Sequence, residues 1–426
     1  MKRLIFVAVT LLGILFAFPV FAAAPLEARS ELVVPFQSDG TIEIHNNTGP
    51  VAVQTWDKSD VKISYRKWIR FDSSSQAKNL LDAAKVETTV FGKNLKITNF
   101  APSSKKEYGN GRVMFDYKLW VPKNSNVFVK TDAGKIEVYN LDGKCEAKSK
   151  KGDIFLKNIQ GPVNAHTEFG VIDLKKADGN VELATTKGNI KCEEVHGSLN
   201  VQTQDGTVKL SHIKGPSLRT ISKAGDQHIA FVEVEGKPMI QTESGNIKIS
   251  AFKSPAMVKT DSGSITVVSL TSNGTEGSTL KSVTGHVKVR DLRGNAIIET
   301  SRADADVKLF KGDMKFNSDH GSLDVASLYG TVDAKSNSGD IEVKAKSKDF
   351  DKPLRLETAS GDIYLSIPTK TPADVTLKTT KGSIKTQFSI KPERGIASYE
   401  AVGKINGGGT IVELHSHSGD IELDSL

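Results

Sequence analysis

Two cysteines, three tryptophans and 14 prolines are all that this chain of 426 residues holds of each. Two thiols exclude a disulfide-stapled scaffold. Aromatic residues make up only 7%, which suits a thin, repeated core better than one large globular one. After residue 21 no apolar run reaches the length that crosses a bilayer. Neither sign of charge dominates, since 57 Lys and Arg stand against 50 Asp and Glu, for a net +7. The two signs are interleaved and no reader motif is present, which argues against nucleic acid. No cofactor fingerprint occurs, so no cofactor is expected.

What is present begins with a leader. Lys2 and Arg3 precede the apolar run 4–21, and "VFAAAP" follows. A charged start, an apolar stretch and small residues read as a secretory signal over 1–22, cut after Ala22 or Ala23. The cleaved chain then carries about +5 once Lys2 and Arg3 are gone. The expectation is a secreted or periplasmic protein of the cell envelope, with no transmembrane segment after cleavage.

Glycine supplies the organising pattern. Gly170, Gly188 and Gly206 stand 18 residues apart, each three residues after a threonine. The column extends from Gly134 through Gly152, Gly225, Gly245, Gly263, Gly285, Gly321, Gly339, Gly361 and Gly382 to Gly419, with Ala303 at one place, for 15 units. A Thr or Ser always precedes the anchor by three. Two residues after it the side chain is apolar in 14 of the 15 units, Gln227 being the exception. Alternation after each anchor, and again after a second glycine such as Gly179 or Gly197, reads as strand, turn, strand, turn. A single repeat cannot bury its apolar side, whereas a stack can. The predicted fold is all-β: a right-handed β-solenoid of about 18 residues per coil, roughly 70 Å long at ~4.8 Å per coil. The glycines are assigned to tight turns that need positive φ. The hydroxyls line one inner corner, where they bond the backbone or one another. Cys145 and Cys192 fall at inward positions about three coils apart, too far to bridge.

Residues 25–125 are different, although Gly40 and Gly49 repeat the nine-residue glycine spacing, and they read as an N-terminal β-rich cap. "SSSQAKNLLDAAKVET" (73–88) is its one helix, with N-caps at Ser73 to Ser75 and an apolar face of Ala77, Leu80, Leu81 and Ala84. The regular solenoid is assigned to 126–366 and an irregular C-terminal region to 367–426. There "IVELHSHSGDIEL" reads as the last coil, closing the stack.

Candidate chemistry is sparse. His415 and His417 alternate outward with Glu413, but the spacing demands no further metal ligand. Ser318, Asp319 and His320 are adjacent and cannot form a catalytic triad. The recurring "GD" turns suit turn edges better than a calcium repeat. Outward aromatics are the more useful oddity. Tyr139, Phe155 and Tyr364 fall at solvent-facing positions and Phe169 at a turn, where rings stack on sugars or dock a protein.

The stretches "GTIEIHNNTGPVAVQTWDKSDVKI", "FDYKLWVPKNSNVFVKTDAGKIEVYNLDGKCEAKSKKGDI" and "INGGGTIVELHSHSGDIEL" resemble the bacterial secreted putative-adhesin family of β-strand repeats, whose function is unknown. The resemblance covers nearly all of the chain beyond the leader. It implies attachment and supplies no catalytic residues. The reading is therefore a non-catalytic, adhesin-like rod that binds an envelope polysaccharide or protein, with Tyr139, Phe155 and Tyr364 as the ligand surface. The competing readings are a lyase or glycosidase on a parallel β-helix, and an envelope-stress or assembly scaffold. Oligomeric state is not specified by the sequence.

Overall fold

A computed structural model describes residues 25–69, 74–102, 112–272, 276–347, 350–392 and 399–426. The leader, the Ser73 to Ser75 N-caps and most of the loop before residue 112 lie outside the described residues or side chains. All the strands join one continuous sheet system, and the pairing is parallel along the body of the chain. Two ladders run its length. In one, Ile154 pairs with Ile136 before it and Ile172 after it. In the other, Val163 pairs with Cys145 and Val181. Equivalent residues of successive repeats therefore lie over one another, and the inward Ile, Val and Leu positions are almost fully buried. The result is a β-solenoid of about 13 turns at a spacing of about 18 residues.

The stacking explains the glycines more fully than turn conformation does. A Cβ on Gly188 would lie 1.9 Å from the carbonyl oxygen of Gly170 in the preceding turn. At Gly152 the same contact, with Gly134, is 2.0 Å, although no left-handed φ is required there. Close backbone approach, repeated at every turn, is the common cause. Ala303, the exception, has no positive φ.

The hydroxyl column lies where the sequence puts it. Thr167 Oγ1 donates to the Gly152 carbonyl at 3.0 Å and Thr260 Oγ1 to that of Gly245 at 3.1 Å. Ser336 Oγ does the same to Gly321 at 3.0 Å. Each of these three hydroxyls binds the anchor of the turn before, whereas Ser222 Oγ donates to the Ala224 carbonyl, Thr300 Oγ1 donates to Ser318 Oγ, and the buried Thr131, Thr203 and Thr242 hydroxyls have no hydrogen-bond partner. The residue after the anchor forms a second ladder: Asp153 Oδ1 accepts from Val171 N at 2.8 Å, and Asn189 Oδ1 from Thr207 N at 2.8 Å. Gln227 sits fully buried in the apolar core. Its amide is satisfied there, accepting from Thr220 Oγ1 at 2.5 Å and donating to the Gln241 carbonyl at 2.6 Å. Cys145 and Cys192 are free and buried, and burial pushes the Cys145 thiol up to about 12.

The repeat begins earlier than its regular spacing suggests. Strands Thr41–Thr48 and Val51–Trp56 pair in parallel with Asn126–Ala133 and Ile136–Leu141. They form a turn anchored at Gly49, on whose carbonyl Gly134 rests. Asn46 takes the hydroxyl's place and donates Nδ2 to the Gly49 carbonyl at 2.8 Å. Beyond this turn the pairing changes direction. Asn94–Phe100 and Met114–Pro122 are still parallel to it. Lys85–Phe91, Val61–Ile69 and Leu26–Val34 then add in antiparallel fashion. The helix is Ser74–Ala83, shorter than 73–88. Its apolar face is the expected one, with Ala77, Leu80, Leu81 and Ala84 buried. The helix stops because Val86, Thr88, Thr89 and Val90 are β-branched and pair in the antiparallel hairpin with Asn94–Phe100.

At the other end the sequence order fails. "IVELHSHSGDIEL" does not close the stack. Thr410–Ser416 lies between Leu354–Ser360 and Ala373–Thr379. Ile421–Ser425 likewise lies between Ile363–Ile367 and Ile384–Thr386. The ladders agree: Gly419 rests on Gly361, and Gly382 rests on Gly419. Asp362 Oδ1 accepts from Asp420 N at 2.8 Å, and Asp420 Oδ1 from Ser383 N at 2.7 Å. The terminal segment is thus inserted under the turn that precedes it in sequence. Glu400–Ile405 then pairs antiparallel outside Ala373–Thr379, which covers that outer edge.

Candidate functional site

Tyr139 and Phe155 stand on neighbouring turns and belong to one cluster. Tyr139 OH donates to Glu137 Oε1 at 2.9 Å, and Lys135 Nζ pairs with the same oxygen at 2.6 Å. Lys135 Nζ also lies 4.5 Å from the centroid of the Phe155 ring. Burial and the bond to Glu137 raise the Tyr139 phenol above its ordinary range. The chain's own groups therefore occupy these rings. Gln54 pairs with Tyr139 on one side and Trp120 on the other. Trp120 is approached by Lys62 and Lys118 at 5.1 and 4.8 Å. Tyr364 is remote, on the turn of Gly361, and donates to Asp362 Oδ2 at 3.1 Å. The structure does not bring it to the other two. Phe169 is exposed and pairs in register with Lys151 and Lys187.

Of the other candidates, Ser318 and Glu413 have structural partners. Ser318 Oγ accepts from Thr300 Oγ1 at 2.9 Å and from Gly321 N at 2.8 Å. Glu413, expected beside His415 and His417, accepts from Arg355 Nε at 2.7 Å. Among the described residues no group of three or more metal-ligating side chains forms a cation site.

Next to the turn of Tyr364 is an acidic ladder, in which Asp306, Asp324 and Glu342 stack in register. Burial first, then Glu342 and Asp306, raise the Asp324 carboxyl above its ordinary value. A raised carboxyl contributes stability when protonated and loses it as pH rises through its folded value. Asp324→Asn is therefore expected to stabilise at pH 7, by a few tenths of a kcal/mol given the solvent screening of an exposed group. The gain should fade below about pH 4. Thermal melts of both proteins across pH 3–7 check this.

The sequence reading missed a third corner. Six residues after the anchor, the backbone of seven successive turns is left-handed, at Asn140, Asn158, Lys176, Glu194, His212, Phe231 and Ala251, with φ of 53–65°. The signal was present at Asn140 and Asn158, since asparagine tolerates this conformation. Phenylalanine is among the residues least suited to it, yet Phe231 adopts it and is 56% exposed. Its ring stacks on His212 at 4.8 Å and 10°.

This corner forms one wall of an open trench of about 580 Å³. Glu194, His212, Phe231 and Ala251 line that side, and His196, Lys214, Glu233 and Lys253 line the other. Because each wall is a ladder of equivalent positions, the trench runs along the stacking direction. Lys253 Nζ lies 3.5 Å from Glu233 Oε2. At the upper end Lys175 and Lys176 each approach a glutamate, Glu193 and Glu194, at 3.8 Å. The trench offers an exposed ring with ionic groups of both signs beside it.

The family model described as Toastrack DUF4097 matches residues 41–424. The chain belongs to the Toastrack family. The matched span begins at the strand of the first turn and ends in the inserted terminal segment, so it includes the trench. No curated protein sequence matches this Toastrack chain. Among solved structures it aligns with a putative cell adhesion protein from Clostridium sporogenes ATCC 15579, at 8% identity and a TM-score of 0.20, over 95% of this chain and 100% of that one. A putative adhesin from Bacteroides fragilis NCTC 9343 aligns at 11% identity and a TM-score of 0.20, over 94% and 97% of the two chains. A putative lipid binding protein from Parabacteroides distasonis ATCC 8503 aligns at 14% identity and a TM-score of 0.18, over 80% and 94%. At such scores no residue of these proteins is equated with one of this Toastrack chain.

Proposed function

We propose that the chain is a non-catalytic, adhesin-like rod, secreted or held in the cell envelope, that binds an envelope polysaccharide by weak contacts repeated along its length. One observation carries this reading. An open trench runs along the stacking direction, walled by ladders that place one side chain per turn. Such a surface suits an extended polymer, because each turn adds a small contact and the contacts sum. The leader at 1–22 supports the location.

Sedimentation of the purified mature protein with isolated envelope polymers, at low and high salt, tests the reading. Co-sedimentation is expected, weakened only in part by salt. Ionic contacts are screened beyond about 8 Å at physiological ionic strength, while ring stacking is not. Absence of binding at either salt would overturn the polymer reading in favour of a protein partner.

A second reading rests on Glu193, Glu194 and Glu233, which line the same trench. Paired carboxylates are what glycoside hydrolysis uses. Here each carboxylate already has a lysine beside it, at 3.5–3.8 Å. The appearance of new reducing ends in the sedimentation mixture would establish the enzyme reading.

A further inference from the structure

The wall containing Phe231 is an interrupted stack. His212, Phe231 and Ala251 are equivalent positions of three successive turns. The pairings Ile229 to Ile249 and Val232 to Phe252 hold the last two in register. Phe252 pairs in turn with Leu270, which puts Ser269 at the next equivalent position. Two rings therefore stack at 4.8 Å, and the two positions that follow carry only a methyl and a hydroxymethyl. One face of the Phe231 ring is against His212. The other is directed to the place that Ala251 leaves unfilled, inside the trench that Ala251 and Lys253 also line. Among the seven left-handed corners only this one holds a phenylalanine, at a conformational cost and with most of its surface in water. Neither feature helps the fold, since the corner recurs with Asn, Lys, Glu and Ala.

We propose that Phe231, with the gap over Ala251 and Ser269, is a subsite for one pyranose ring of a neutral glycan, which continues the His212–Phe231 stack. The proposal deepens the polymer-binding reading and rests on it. A pyranose presents an apolar C–H face to the aromatic ring and hydroxyls around its edge. The opposite wall supplies a carboxylate acceptor and an ammonium donor close together, Glu233 and Lys253, 3.5 Å apart. Adjacent sugar hydroxyls both donate and accept, so one pair of groups engages two of them. The trench carries three glutamates against two lysines. That balance disfavours uronates, phosphorylated polymers and nucleic acid.

The test uses the full mature chain and two variants. Phe231→Ala removes the platform. Ala251→Phe fills the gap, and the backbone accepts it because Phe231 already adopts the same φ one turn earlier. Both variants are expected to fold as the wild type does, since each changes an outward side chain, with Ala251→Phe melting slightly lower because phenylalanine suits the left-handed corner less well than alanine. Binding is read on an array of soluble oligosaccharides of envelope type, peptidoglycan glycan fragments included. The wild type should bind neutral pyranose oligomers, and each variant should lose about tenfold or more in affinity, the worth of one buried aromatic contact. Wild-type binding kept by both variants would overturn the subsite, as would failure of the wild type to bind any glycan on the array. The polymer sedimentation separates the two ideas. If both variants still co-sediment as the wild type does, the rod stands and the subsite falls. If the wild type co-sediments with nothing, the rod reading itself falls.

Discussion

A chain ending after Gly409 is expected to lose its C-terminal end as a folded unit, with the turn 373–386 detached from the stack. The missing segment is the layer between 354–367 and 373–386, not an outer one. Its Val412, Leu414, Ile421 and Leu423 are fully buried. Each such aliphatic side chain costs about 2–5 kcal/mol to remove from a packed core, so the local loss is on the order of 10 kcal/mol. Thr379 and Ser383 also lose the Gly419 carbonyl and the Asp420 carboxylate that they bind at 2.8 and 2.7 Å. In a stack each turn answers only to its neighbours, so the damage should stay local. Hydrogen exchange should show amides 373–386 unprotected and amides 136–205 unchanged. Continued protection of 373–386 would mean that this turn can dock directly on 354–367, and that the insertion is not required.

The second large effect is at a glycine. Gly188→Ala places a methyl carbon 1.9 Å from one backbone oxygen and 2.7 Å from the carbonyl carbon of Gly170. Neither atom belongs to a side chain that could rotate away. The two turns must separate, which breaks the hydrogen bonds of both ladders nearby. A loss of about 4 kcal/mol or more is expected, in the range reserved for severe backbone conflicts. Gly92→Ala is the control. Its φ is +58° but nothing lies within 4 Å of an added Cβ, so only the left-handed cost of about 1 kcal/mol applies. Urea unfolding of the two variants, with exchange at amides 163–215, separates steric exclusion from conformational preference. Equal losses would show that the contact with Gly170 adds nothing to the cost at Gly188.

That comparison also marks what the sequence discloses and what it hides. Period and alternation were legible because every turn repeats the same burial, so Ile136, Ile154, Ile172 and Ile190 announce one ladder. The Thr and Ser column was legible for the same reason, and its bonds to the preceding anchor follow from its place. The helix face was legible, whereas its end was not, because the β-branched Val86, Thr88, Thr89 and Val90 answer to a strand partner that local pattern does not reveal. Spatial order at the C-terminus was not legible at all. The segment 410–425 has the same pattern as any other turn, and pattern specifies the kind of neighbour, not which one. The trench was not legible because the left-handed corner has no fixed residue type. The rings of Tyr139 and Phe155 are occupied by the chain's own lysine and glutamate, whereas Phe231 lines the trench.

The left-handed corner has a consequence for how such a protein changes over generations. Asn, Lys, Glu, His, Phe and Ala all occupy it in consecutive turns, while the backbone bonds between turns stay the same. The chain thus keeps, on seven successive rungs, a site whose side chain can be exchanged without renegotiating the architecture. Surface chemistry can drift along this line, one substitution at a time, and an added or deleted rung shifts the spacing between two side chains by a fixed step. The scaffold therefore lets selection write new surface patterns in a medium that folding does not read.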